Sequence, residues 1–324
     1  MVLLAALLFA APYRVYVSNE ASGDVAVIEN DAVVARIPVG KRPRGIKLGP
    51  GSRLYVAVSG SPRGGPGQRD EDLPPPDRKE DGIAVVDLAR GKVVARLPGG
   101  TDPESFDLSR DGKLLFVSNE DASALSVVDI QAARVVRTVK VGAEPEGVTV
   151  APDGSAIYVT SEEDGAVDVI DVASFTVLAR VEVAPRPRAI AFTPDGTRAF
   201  VSAEQGAAVD VIDARTRART GRIHIGGKGA KPMGLAMSRD GSLLFVSTGR
   251  GGSVACIDVP GERVSKTFDS VGGRPWGIAL SPGGDRLYTA NGPSDEVAVI
   301  DPRSGKVIRR IPAGKSPWGI AVGP

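Results

Sequence analysis

One phrase recurs seven times along the chain, and it constrains the fold more than any other feature. The copies are RPRGIKL (Arg42 to Leu48), DPESFDL (Asp102 to Leu108), EPEGVTV (Glu144 to Val150), RPRAIAF (Arg186 to Phe192), KPMGLAM (Lys231 to Met237), RPWGIAL (Arg274 to Leu280) and SPWGIAV (Ser316 to Val322). Their prolines, Pro43, Pro103, Pro145, Pro187, Pro232, Pro275 and Pro317, are spaced by 60, 42, 42, 45, 43 and 42 residues. A fixed period of about 40 residues built from short strands marks the blade of a β-propeller.

Each repeat reads as four strands. The first follows the proline phrase. A turn such as PDG (Pro152 to Gly154) or RDG (Arg239 to Gly241) comes next, where glycine supplies the positive φ of a tight hairpin. The second strand is YVSN (Tyr16 to Asn19), FVSN (Phe116 to Asn119) or YVTS (Tyr158 to Ser161). The third is VAVIE (Val25 to Glu29) or VDVID (Val167 to Asp171), and its closing acid can start the next turn. The fourth, as in VVARIPV (Val33 to Val39), carries extra Arg and Lys, which suits an outer edge. The chain starts on a second strand and ends on a first strand. The spacing therefore predicts an all-β, seven-bladed propeller with four antiparallel strands per blade, its ring closed by the C-terminal strand joining the N-terminal three.

Stacked blades share one ring, so 324 residues make a single domain over 13–324 rather than two. Residues 60–82, GSPRGGPGQRDEDLPPPDRKEDG, interrupt the first full repeat. Their glycines, prolines and charges predict a mobile loop, and RDED (Arg69 to Asp72) lacks the spacing of a calcium loop. The apolar start MVLLAALLFAAP, residues 1–12, is too short for a membrane span and reads as a shortened signal peptide, implying a periplasmic or secreted protein.

With 40 basic and 39 acidic residues, scattered along the chain, there is no electrostatic footprint for nucleic acid. A single cysteine, Cys256, forms no intramolecular disulfide and sits where other repeats place valine. One histidine, His224, on an outer strand, cannot assemble a zinc site or a c-type haem attachment. No G-x-S-x-G elbow is present.

Carboxylates are thus the only route to an active site. Glu104 and Glu146 follow the repeated proline in neighbouring blades, with Asp102 and Glu144 just before it. At the axis they could hold a hard cation or act as an acid–base pair. Alternatively, Arg44 and Arg188, at the same position in flanking blades, pair with them. In ring order the post-proline residues are Arg44, Glu104, Glu146, Arg188, Met233, Trp276 and Trp318. The ring should bring Arg44, Glu104, Glu146, Arg188, Trp276 and Trp318 to one channel mouth as a ligand- or partner-binding surface. The other reading of the two tryptophans is a cap over the core.

YVSN strands, VAVID strands and Pro-x-Gly phrases resemble the YVTN-repeat propeller family over Tyr13 to Pro324. VSNE, GTDPESFDL, VGAEPEGV and the terminal SPWGIAV are similar to propellers associated with pyrroloquinoline-quinone-dependent alcohol catabolism. The resemblance implies an exported propeller with no defined catalytic set. The expected function is a non-enzymatic envelope module that binds a small molecule or a partner protein at its mouth and acts as a monomer. No cofactor is required on this reading, with pyrroloquinoline quinone or Ca²⁺ conceivable. The alternative is a metal-dependent, lactonase-like hydrolase that uses the mouth carboxylates.

Overall fold

The computed structural model describes residues 12–63 and 72–324. The expected signal segment lies outside these apart from Pro12, as does the middle of the 60–82 insertion, including most of RDED. Seven four-stranded antiparallel sheets form the ring. Blade 1 is the closing one: the C-terminal strand Pro317–Gly323 pairs with Arg14–Asn19, followed outward by Asp24–Glu29 and Ala32–Pro38. Tyr16 lies opposite Ala321 and Val15 opposite Val322. Blades 2 to 7 follow in chain order, their innermost strands being Ile46–Gly49, Pro103–Leu108, Pro145–Val150, Pro187–Phe192, Leu235–Met237 and Pro275–Leu280. No helix among the described residues is long and apolar enough to cross a membrane.

The burial pattern explains the strand order. Second and third strands are buried on both faces, as in Leu114–Asn119 and Ala124–Asp129, because each is sandwiched between neighbouring blades. The fourth strands bury one side chain each, among them Ile37, Val139 and Val181, and turn the rest outward. Charged residues on that edge discourage pairing with another chain.

Two devices fix the inner rim. First, a hydroxyl near the end of the second strand donates to the carbonyl of the post-proline residue in the next blade. Ser18 reaches Arg44 O (2.6 Å), Ser118 Glu146 O (2.7 Å), Thr160 Arg188 O (2.9 Å) and Ser247 Trp276 O (2.6 Å). Each such buried bond contributes about 1 kcal/mol. Second, the glycine after the post-proline residue lets the blades close up. A Cβ on Gly147 or Gly277 would collide with the carbonyl oxygen of Arg188 or Trp318. The backbone that carries the mouth side chains is therefore held by the neighbouring blade.

Candidate active site at the propeller mouth

The residue before the proline takes a left-handed φ in six blades: Arg42 (41°), Asp102 (48°), Glu144 (48°), Arg186 (62°), Arg274 (48°) and Ser316 (53°). For residues other than glycine this costs about 1 kcal/mol or more. Beside these kinks open the loops that end each second strand. Both sets of loops lie at the same end of the ring and enclose a cavity of about 1120 Å³. Arg44, Glu104, Glu146, Arg188, Trp276 and Trp318 all line it, as the repeat position required. Met233 is 2% exposed and belongs to the core instead.

The charged residues form two knots. In the first, buried Arg44 donates to Glu104 and Asp102, and its guanidinium lies 3.7 Å from Glu120 Oε2. Ser59 Oγ donates to Asp102 at 2.5 Å. In the second, Arg188 donates through Nε (3.0 Å) and Nη2 (2.6 Å) to Glu204 Oε2, pairs with Glu162 at 2.5 Å, and also donates to Glu146. Arg186 adds contacts to Glu162 and Glu204. Each knot holds more carboxylates than guanidiniums, so the acids cannot all ionise comfortably.

The result is a split within each knot. Burial raises the Glu120 carboxyl, Arg44 opposes, and Glu146 and Asp102 add to the rise, leaving it at about 7. Burial and then the Glu146 charge push Glu162 to about 8 against the pull of Arg188. Burial also acts on Asp102 and Glu204, but Arg44 with Ser59, and Arg188, outweigh it and hold both below the ordinary value. Titratable partners driven apart in this way are the pattern of acid–base sites. Of the three acids around Arg44, Glu120 is the most open to the cavity: its side chain is 30% exposed, against 8% for Asp102 and 7% for Glu104.

The opposite wall is different. Trp276 and Trp318 pack with ring centroids 5.7 Å apart and planes tilted by 35°. The Arg274 guanidinium lies 4.7 Å and that of Arg188 5.6 Å from the Trp276 ring. Burial lowers the Arg274 pKa, although nearby Glu204 opposes it. Neither Arg274 nor Arg250, which also lines the cavity, forms an ion pair with a carboxylate among the described residues. Described flanks of the insertion complete the wall. Arg42 donates to the carbonyls of Ser61 and Pro62, Arg63 donates to Ser316 Oγ (2.8 Å), and Leu73 to Pro76 line the cavity.

Pairing by Arg44 and Arg188 is the arrangement found for Glu104 and Glu146, so guanidiniums stand where a hard cation would. Among the described residues no three His, Cys, Asp or Glu side chains gather to hold a metal. The donor set does not fit one, and no step here runs through a metal. His224 is exposed at the end of the outer strand Ala218–His224, and burial pushes the Cys256 thiol up.

Glu120, Glu162 and Glu204 were not singled out by the sequence reading. The signal was available: VSNE, VSNE, VTSE and VSAE place Glu20, Glu120, Glu162 and Glu204 at one repeat position, where the other three blades carry Ser59, Gly249 and Gly292.

The model of the YNCE-like beta-propeller family matches residues 25–153 and 150–322. No curated protein matches the chain. Among solved structures, hydrazine synthase of Kuenenia stuttgartiensis is similar at TM-score 0.76 and 22% identity, over 88% of this chain and 91% of that one. A periplasmic gluconolactonase of Pseudomonas aeruginosa matches at TM-score 0.76 and 21% identity, over 97% and 99%. A putative 6-phosphogluconolactonase of Bacteroides uniformis matches at 0.77 and 15%, over 97% and 100%. At these identities the likeness establishes the fold. It also overturns the expectation of a non-enzymatic module. All three of these neighbours are titled as enzymes, two of them as lactonases.

Proposed function

The chain belongs to the YNCE-like beta-propeller family, and on that premise we propose that its mouth hydrolyses lactones without a metal. The observation that carries this reading is Glu120, a carboxyl raised to about 7 that faces a large cavity also lined by Arg274 and Arg250, which form no ion pair among the described residues. A general base works best when its pKa lies near the working pH.

In this mechanism ionised Glu120 takes a proton from a water molecule, whose oxygen attacks the lactone carbonyl carbon. The ring C–O bond breaks, Glu120 returns the proton to the departing alkoxide, and a hydroxy acid results. Arg44 stays with Asp102 and Glu104 and keeps Glu120 in place. Arg274 and Arg250 supply positive charge for the oxyanion and for the carboxylate product. The tryptophan pair offers an apolar floor for the substrate ring.

The finer resemblance to propellers of quinoprotein alcohol catabolism leaves one element in this proposal, an exported protein of the cell envelope. The apolar N-terminal run supports it. A monomer acting on a small molecule completes the reading.

The test is turnover of δ-gluconolactone and dihydrocoumarin in a pH-stat, with spontaneous hydrolysis subtracted. The expected kcat/KM rises with pH through about 7, and Glu120→Gln lowers it by roughly 100-fold or more. No turnover above buffer across a panel of five- and six-membered lactones would overturn the proposal, as would a Gln variant with the full rate.

A further inference from the structure

At the end of the ring away from the mouth, the innermost strands finish in a second set of side chains at one repeat position. In ring order they are Lys47, Asp107, Thr149, Ala191, Ala236, Ala279 and Ala321. The first three close their part of the rim. Lys47 Nζ pairs with Asp107 at 2.7 Å, Asp107 accepts from the Val150 N–H at 2.9 Å, and Thr149 Oγ1 donates to Ile190 O at 3.1 Å. Alanines make none of these bonds and fill little volume. Between blades 6 and 7, where Ala236 and Ala279 lie side by side and the inner strand Leu235–Met237 is only 3 residues long, a cavity of about 760 Å³ opens.

Its walls are apolar: Leu235, Met237, Leu243, Phe245, Ile278 and Leu280. Its edge is cationic. Arg239, Lys266 and Arg303 line it, and all three are exposed. The Lys266 ammonium donates to Arg303 O at 3.1 Å, which sets these two side by side. Neighbouring carboxylates are occupied locally. Asp240 accepts from Ser238 and Ser242, Asp285 from Ser281, and Asp301 from Ser304 and the Arg303 N–H. None of Arg239, Lys266 and Arg303 has an ion pair with a carboxylate among the described residues. An apolar pocket of this size with a few charged groups on its rim has the form of a small-molecule site.

We propose that this pocket binds an aliphatic monocarboxylate of medium chain length. The chain lies against Leu235, Phe245 and Ile278, and the carboxylate sits at the rim among Arg239, Lys266 and Arg303. Burial of methylenes supplies most of the affinity, at about 0.8 kcal/mol per CH₂. The arginines select the charged head. The site is separate from the mouth and independent of the reaction proposed there.

The experiment is calorimetric titration of the full chain with decanoate, kept below its micelle concentration, and with 1-decanol as the neutral control. Saturable binding of decanoate at one site per chain is expected, with decanol at least tenfold weaker. Ala279→Leu narrows the pocket and should abolish the heat. The double variant Lys266→Gln, Arg303→Gln should weaken decanoate about tenfold and leave decanol unchanged. Far-ultraviolet circular dichroism confirms that each variant is folded, and Ala279→Ser keeps the pocket open if the leucine variant does not fold. Absence of saturable heat would overturn the proposal. So would equal binding by a folded Ala279→Leu variant, or binding that Trp276→Ala removes, which would place the ligand at the mouth.

Discussion

Blades 3 to 5 and blades 6, 7 and 1 share one backbone plan and present opposite chemistry at the mouth. On the first arc the post-proline and strand-end positions hold Glu104, Glu146, Arg188, Glu120, Glu162 and Glu204, knotted with Arg44 from blade 2. On the second arc the post-proline positions hold Met233, Trp276 and Trp318, and the strand-end positions Gly249, Gly292 and Glu20. The far face is divided one blade earlier, with Lys47, Asp107 and Thr149 of blades 2 to 4 against the alanines of blades 5, 6, 7 and 1. Long charged side chains fill and stiffen one side of the channel. Small and aromatic ones leave space on the other. Opposing functions, proton handling and substrate accommodation, can thus be separated by rotation around a ring whose strands stay nearly uniform.

The second arc contains the ring's closure, and removing it should have the largest effect. Deleting residues 316–324 takes away the strand that pairs with Arg14–Asn19 and the backbone bond from Glu20 N to Ser316 O (2.9 Å). Blade 1 is left with an exposed inner edge, which invites association between chains. Size-exclusion chromatography should show aggregates, and a monomer with unchanged melting would refute the closure.

Arg188→Ala strikes the first arc. It strands Glu146, Glu162 and Glu204 without their main cation, and loss of one partner from a buried ionic cluster costs about 3–5 kcal/mol. Denaturant unfolding at pH 8 should show that loss. The deficit should shrink at pH 5, because protonated glutamates no longer repel one another. A deficit independent of pH would mean that the cluster is not the source.

Acidity separates the arcs more gently. The folded Glu162 carboxyl titrates at about 8, above its ordinary value of 4.5, so the folded chain keeps a proton that the unfolded chain has released. Its contribution to stability is fully present below about 4.5 and is lost as pH rises through about 8. The melting temperature should therefore fall from pH 5 to pH 8, and Glu162→Gln should flatten that fall. Parallel curves for the two proteins would remove Glu162 as the cause.

Trp318→Ala should do least to stability, about 1 kcal/mol or less, because the ring packs on Trp276 at the wall of an open cavity. Its expected signature is a higher KM for lactones with little change in kcat. A large fall in kcat would place the ring nearer the chemistry than a floor.

The repeat made the propeller legible, since turn chemistry and strand type recur along the chain and the period holds at 42 to 45 residues outside the 60–82 insertion. The mouth ring was legible for the same reason: one repeat position maps to one height on the axis. What stayed hidden was the strand-end position of Glu120, Glu162 and Glu204. It lies just past the apolar run, where a glutamate reads as an ordinary loop residue. Which acid each arginine would choose was hidden as well. Arg44 and Arg188 reach several carboxylates each, and the choice follows from side-chain geometry across blades. The leading functional expectation failed for a related reason. A sequence without a histidine cluster or a serine elbow looks chemically poor, although burial can turn a plain glutamate into a base.

The hydroxyl that five of the second strands lend to the next blade, from Ser18, Ser118, Thr160, Ser202 and Ser247, has a consequence for how such a protein changes over time. The carbonyls of Arg44, Glu146, Arg188 and Trp276 are gripped from behind by Ser18, Thr160 and their counterparts. The side chain on that residue has no part in the grip. Each rim position held this way therefore behaves as a socket, which accepts arginine, glutamate, methionine or tryptophan alike. New chemistry can be plugged in one blade at a time while the wheel keeps turning on the same spokes.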